Sequence, residues 1–354
     1  PALEATRPGW EANLKRLFEK MHFILGEQVT ALESELAAAF DAGFAIGVGN
    51  GTDAIGLALR EAGVSGEVLT TSLTAPFTGI GILSAGCRPR FADVDPVTLQ
   101  MDPDDAGNRW KKKTAGMVCV HLYGQPCQLD RMLKLARGAG KPLIQDACQA
   151  HGATFGGKAL TSFSPHVAYS FYPTKNLGCL GDGGAIMTRN RKVADRLRML
   201  RDGGRKGGQV TYLPGINSRL DEMQACYLRA FLPHLKDWNE QRRQIASRYD
   251  EVLAGCRGVR PVVRTGESVC HLYVIRAARR DRLRQYLAER GIGTGIHYPV
   301  PMHLHPTFAD CGLKRGDLPH AEKACREIVS LPVWPGLTLD QAEQVAGRVR
   351  EFYA

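Results

Sequence analysis

The chain has 354 residues, 44% of them hydrophobic, and a formal net charge of +10. That length supports a full core and two domains, and no apolar run approaches the length of a membrane span. Ten scattered cysteines form no CxxC pair, which argues against a zinc site or a secreted disulfide framework. With no signal-peptide pattern at the start of the chain, the expected compartment is a reducing cytoplasm. The basic residues run along helical stretches such as 191–201 and 242–248 without interleaved aromatics. They read as solvated helix faces, with a smaller share available to attract an anionic ligand, and no nucleic-acid partner is needed to explain them.

In chain order, a helical segment is expected from Trp10 to Phe40, broken near Ile24-Leu25-Gly26. Short apolar runs then alternate with amphipathic helices. A run at Ala45–Val48 precedes a helix from Thr52 to Ala62, and a run at Glu67–Thr70 precedes a helix from Pro76 to Ala85. Strands follow at Arg90–Val94, Met117–His121 and Pro142–Gln145, with a helix from Leu129 to Ala139 between the last two. This alternation predicts an α/β fold with a mostly parallel sheet flanked by helices. A long helix from Asp221 to Ala254 should break or kink at Pro233. Beyond it come a strand at Leu272–Arg276, a helix from Arg280 to Arg290, a loop rich in His and Pro, and a last helix from Leu339 to Phe352. The division expected is a large domain over residues 1–235 and a small α+β domain over 236–354.

The most informative stretch runs from Ser170 to Gly184 and sets Lys175 in a polar, glycine-rich turn between two apolar runs. A lysine there is either a surface charge or an amine that can condense with an aldehyde. Upstream, an apolar run delivers Asp146 to a strand end, the edge where ligands sit in open α/β sheets. Further upstream, Gly51-Thr52-Asp53 opens a helix, either as an ordinary helix start or as a cradle for phosphate. A lysine for the aldehyde, an acid for the ring nitrogen and a helix N-terminus for the phosphate are together what pyridoxal 5'-phosphate requires.

These motifs, in this order, resemble the DegT/DnrJ/StrS family of sugar aminotransferases, which have the aspartate-aminotransferase fold type I. The resemblance extends from Phe23-Ile24-Leu25-Gly26 through the segments at 49–53, 91–96, 121–126 and 146–152. It continues through the Lys175 segment, Gly215 to Glu222, His297 to Pro301 and Leu331 to Gly336. It implies that Lys175 carries the cofactor and moves protons, that Asp146 faces the pyridine nitrogen and that Gln149 contacts the cofactor's 3′-oxygen. It also implies that Gly51, Thr52, Asp53 and Ser170 hold the phosphate, with Asn217 reaching it from a neighbouring subunit of a homodimer. Family members carry a ring-stacking aromatic in the stretch matching Ser72–Ala75. This chain has Leu73 and Ala75 there, so either Phe77 stacks on the ring or it belongs to the helix core. His151 is either a cofactor neighbour or a packed histidine.

On the substrate side, Arg219 either binds an anionic group or pairs with Asp221 or Glu222. His297 and Tyr298 resemble a family loop that approaches the sugar. The histidines of that loop, His297, His303 and His305, lack the spacing of a metal site. The activity that the resemblance implies is amino transfer from glutamate or glutamine to a keto-sugar, with a nucleotide-linked sugar expected. A sugar dehydratase using pyridoxal or pyridoxamine phosphate and a keto-cyclitol aminotransferase are the alternatives, and a purely regulatory cofactor-binding protein is a third.

Overall fold

The computed structural model describes residues 2–264 and 267–354. The N-terminal part is helical, with α1 (Ala2–Ala5), α2 (Arg7–Lys20) and α3 (Glu27–Ala39). The expected break is there, and its cause lies far away in sequence. The Glu222 carboxylate accepts hydrogen bonds from the N–H groups of Gly26, Gln28 and Val29 at 2.7, 2.8 and 3.0 Å. It satisfies donors that the start of α3 would otherwise leave unpaired.

Strands and helices then alternate: β1 (Phe44–Val48), α4 (Gly51–Glu61), β2 (Glu67–Thr71), α5 (Pro76–Ser84) and β3 (Arg88–Ala92). They continue with α6 (Pro103–Arg109), β4 (Thr114–Val120), α7 (Leu129–Gly138) and β5 (Leu143–Asp146). A small hairpin, β6 (Thr154–Phe155) and β7 (Lys158–Ala159), precedes β8 (Val167–Ser170), β9 (Gly184–Thr188) and α8 (Arg191–Arg201). Seven of these strands form one sheet in the order β1-β9-β8-β5-β4-β2-β3. From β8 to β3 the neighbours are parallel, while β9 is antiparallel to both β8 and β1. Two apolar clusters cover its faces, one around Leu32, Met117 and Tyr169, the other around Ile46, Leu57 and Val118. Burial on both faces explains why β5 and β8 read as short continuous apolar runs rather than alternating ones.

The predicted long helix is divided at Pro233. α9 (Glu222–Phe231) passes through a 3₁₀ turn at Leu232–His234 into α10 (Leu235–Leu253), as expected where proline removes a helical N–H donor. A three-stranded antiparallel sheet follows, β10 (Val259–Pro261), β11 (Tyr273–Ala277) and β12 (Ile328–Leu331), in that spatial order. With α10, α11 (Arg280–Ala288), α12 (Pro319–Glu327) and α13 (Leu339–Tyr353), it builds further apolar clusters, one around Tyr249, Ile275 and Leu283. The helix over 319–327 and the strand over 328–331 were not expected from the sequence. The short α6 was missed as well.

The reading of 191–201 and 242–248 as solvated faces needs correction at two positions. Arg201 is buried against Glu33, and Arg242 is buried among backbone carbonyls. Among the described residues no helix is long and apolar enough to cross a membrane.

Candidate active site

The C-terminal ends of β5 and β8, the loop after β1 and the turn that follows β8 meet at a cavity of about 1290 Å³. Its opposite side is made by α10 and by the segments at 271–272, 297–298 and 333–335. The cavity therefore lies at the edge where parallel strands deliver their last residues.

Asn50 caps α4, its side-chain oxygen accepting from the Asp53 N–H at 2.8 Å. The N–H groups of Gly51 and Thr52 make no hydrogen bond among the described residues. Two free donors at a helix N-terminus, beside the Ser170 hydroxyl, suit an anion. A Cβ at Gly51 would lie 2.7 Å from Ser170 Cβ and 2.9 Å from Cys148 Sγ. Glycine there lets the helix end approach the two strand ends closely. Asp53 departs from expectation. Its N–H is taken by Asn50, and its carboxylate accepts from the Ser218 hydroxyl at 2.7 Å and from Asn50 Nδ2 at 3.2 Å. It organises the loop and offers no free donor to a phosphate.

Asp146 ends β5 and is buried. One carboxylate oxygen accepts from Thr78 Oγ1 at 2.7 Å and the other from the Cys148 N–H at 3.1 Å. Thr78 is in turn 3.0 Å from Thr74. Each oxygen keeps acceptor capacity after these bonds, so the carboxylate is held in place and still able to hold a proton on a ring nitrogen. Gln149 lines the cavity, its amide oxygen accepting from the Tyr123 N–H at 2.7 Å and its NH₂ donating to the Tyr298 hydroxyl at 2.9 Å.

Lys175 lines the cavity and has no ion-pair partner among the described residues. Burial holds its amine below the ordinary lysine range, and nearby Cys148 and Asp146 only partly offset that. Desolvation favours the uncharged, nucleophilic form. The turn is fastened by a residue that the sequence reading passed over. Asn176 donates to Asn239 Oδ1 at 2.8 Å and to the Val269 carbonyl at 2.9 Å, and its oxygen pairs with His271 Nδ1 at 3.0 Å. Only a polar residue directly after the lysine hinted at this, because every partner is at least 63 residues away.

His151 is a packed residue. It is fully buried between Tyr169 and Phe171, and its Nε2 lies 2.8 Å from the Ser170 carbonyl. Burial and then Lys175 push its pKa down to about 3. Phe77 is 62% exposed and lines the cavity, so it is not helix core. His297 and Tyr298 both line the cavity, with His297 Nδ1 2.8 Å from Ser330 Oγ. His303 is engaged with Glu322 at 3.2 Å.

Two expected residues lie outside this chain's own cavity. Asn217 is exposed next to α9. Arg219 pairs with Asp202 at 2.9 Å, not with Asp221 or Glu222; Glu222 is already engaged at the start of α3.

The donor set fits pyridoxal phosphate: free N–H groups and a hydroxyl at the start of α4, a fixed carboxylate at the end of β5, and a lysine amine lining the same cavity. Residues 9–350 match the DegT/DnrJ/EryC1/StrS aminotransferase family. The chain belongs to that family. It is 42% identical to the pleiotropic regulatory protein of Geobacillus stearothermophilus, over 99% of this chain and 96% of that one. It is 39% identical to the dTDP-3-amino-3,4,6-trideoxy-alpha-D-glucose transaminase of Streptomyces venezuelae, over 99% and 94%. The crystal structure of S. venezuelae DesV in complex with a ketimine intermediate superposes with a TM-score of 0.97 at 39% identity, covering 99% of this chain and 96% of that one. The DegT/DnrJ/EryC1/StrS chain described here is thus a pyridoxal-phosphate-dependent aminotransferase with the fold type I architecture.

Proposed function

We propose that this enzyme transfers an amino group from L-glutamate or L-glutamine to the ketone carbon of a nucleotide-linked keto-sugar. The observation that carries the reading is the half-buried Lys175 amine, without an ion-pair partner among the described residues, beside a fixed Asp146 carboxylate. Sugar transaminases alignable over nearly the whole chain support the substrate class.

Bound pyridoxal phosphate supplies the electron sink that lets an amino-bearing carbon lose and regain a proton. Gly51, Thr52 and Ser170 would bind its phosphate, and Gln149 its 3′-oxygen. Asp146 would hold a proton at the ring nitrogen, and Phe77 would cover the ring at the cavity mouth. Lys175 would hold the aldehyde and, once released, carry a proton to and from the reacting carbon. His297 and Tyr298 would border the sugar.

The working unit proposed is a homodimer in a reducing cytoplasm. Asn217 and Arg219, outside their own cavity, would complete the partner's. Residues 1–235 form the large domain and 236–354 the small one, with the cavity between them.

The test is the visible absorption of the cofactor-loaded protein before and after L-glutamate, then L-glutamine. Loss of the visible band with growth of the pyridoxamine phosphate band is expected with one of them. A spectrum indifferent to both donors would overturn the reading and favour the dehydratase.

A further inference from the structure

We propose that Arg242 anchors a carboxylate of the amino-acid donor; the proposal rests on the aminotransferase reading above. Arg242 lies on α10, is 6% exposed and lines the cavity. Its Nη1 donates to the Val333 carbonyl at 2.9 Å and to the His271 carbonyl at 3.3 Å. Its Nε is buried without a partner, and Nη2 makes no hydrogen bond among the described residues. Arg201, equally buried, has the Glu33 carboxylate against it. Arg242 has no carboxylate within ion-pair distance among the described residues.

A guanidinium withdrawn from water without an anion is costly, and two carbonyls satisfy only part of its five-donor fork. Burial draws it down to about 10, so it stays charged at neutral pH. The other cation lining the cavity, Lys175, must be neutral to react. His271 and His297 are both held below the ordinary histidine range by burial. Arg242 is therefore the fixed positive charge on this chain's cavity wall.

Its position suits a small donor. His271 accepts from Arg242 through its carbonyl and pairs through Nδ1 with Asn176, the residue after Lys175. Asn239, three residues before Arg242 on the same helix, also bonds to Asn176. The guanidinium thus belongs to the scaffold of the lysine turn. A carboxylate one or a few bonds from a reacting amine can reach such a place. A diphosphate, flanked by a sugar and a nucleoside, needs the wider mouth.

The experiment compares the wild type with Arg242→Gln and Arg242→Lys. It reads the L-glutamate concentration needed for half-maximal conversion of the cofactor band. Calorimetry adds the Kd for glutarate, a dicarboxylate without an amine, and for dTDP-glucose as a nucleotide-sugar probe. Arg242→Gln should weaken L-glutamate and glutarate by ~30-fold or more, as expected for a desolvated charged contact, and leave dTDP-glucose within about twofold. Arg242→Lys, which keeps the charge but not the fork, should fall between and covers the case in which the glutamine variant does not fold. Unchanged glutarate binding, equal losses for both ligand classes, or a loss confined to dTDP-glucose would each overturn the proposal. A wild type that binds glutarate but never converts its cofactor with either donor would overturn the aminotransferase reading instead.

Discussion

The two walls of the cavity differ in how their polar groups are assembled. On the sheet side, Asp146, Cys148 and Gln149 come from one turn after β5, and Ser170 and Lys175 from one turn after β8. Their hydrogen bonds largely link the ends of neighbouring elements, as in the Thr74–Thr78–Asp146 chain. The opposite wall takes Arg242 from a helix, His271 and Leu272 from the approach to β11, His297 and Tyr298 from a loop, and Val333 to Pro335 from the exit of β12. Its groups are held by partners distant in sequence, Arg242 by two backbone carbonyls, His271 by Asn176, His297 by Ser330 and Tyr298 by Gln149. The sheet wall concentrates reactive chemistry at strand ends, while the opposite wall supplies shape and one fixed charge.

The largest expected effect comes from the sheet wall. Lys175→Ala removes both the aldehyde-binding amine and the proton carrier, so turnover should fall by ~10⁴-fold or more. Circular dichroism and the urea midpoint should show a folded protein, because relieving a desolvated amine costs no stability. Substantial residual transamination would erase the division between a reactive wall and a shaping one.

The same division sets what could be read from sequence. Strand ends followed by short polar turns leave a local signature, so Asp146 and Lys175 stand out from the pattern itself, while Gln149 and Ser170 follow from the family resemblance. Pro233 and the break before Gly26 were legible for the same reason, although the agent at Gly26 was Glu222, 196 residues away. Arg242 reads as a solvated helix charge because it belongs to a basic helical run, 242–248, without interleaved aromatics, and its neighbours Glu240 and Arg243 do pair with each other at the surface. Its true surroundings, His271 and Val333, come from elements that no local pattern links to it. Asn176 was missed for the same reason, and for Arg219, read either as an anion binder or as a partner of Asp221 or Glu222, the fold supplies Asp202, which neither alternative included.

His151, packed against Tyr169 and Phe171, and His271, on the opposite wall, are both kept neutral by burial, and acid should expose both. His151 is pushed down to about 3 and His271 well below its ordinary value. The folded forms therefore refuse a proton that the unfolded chain accepts below about 6.5. Stability should fall as pH drops below ~6.5, and for His151 the loss continues down to about 3. By pH 5 the cost is roughly 2 kcal/mol per histidine. Urea midpoints at pH 7.5 and pH 5.0 measure the total, and His151→Gln should shrink the difference between the two pH values by its own share. An unchanged difference would mean that His151 takes up its proton in the folded state and that the sheet wall is less sealed than its burial indicates.

A finer test separates the position of Asp146 from its mere presence. Thr78→Val keeps the shape of the first turn of α5 and removes the hydroxyl that donates to the carboxylate at 2.7 Å. A hydrogen bond to a charged acceptor contributes about 1.5 kcal/mol or more, so kcat/KM should fall about 10-fold. Thr78→Ser, which restores the donor, should recover most of that loss. The Cys148 N–H at 3.1 Å remains as the carboxylate's second support, which is why the effect stays far below that of removing Lys175. If Thr78→Val were as active as the wild type, strand β5 and the Cys148 amide would suffice to hold Asp146. The hydroxyl chain from Thr74 would then serve only to satisfy buried polar groups at the start of α5.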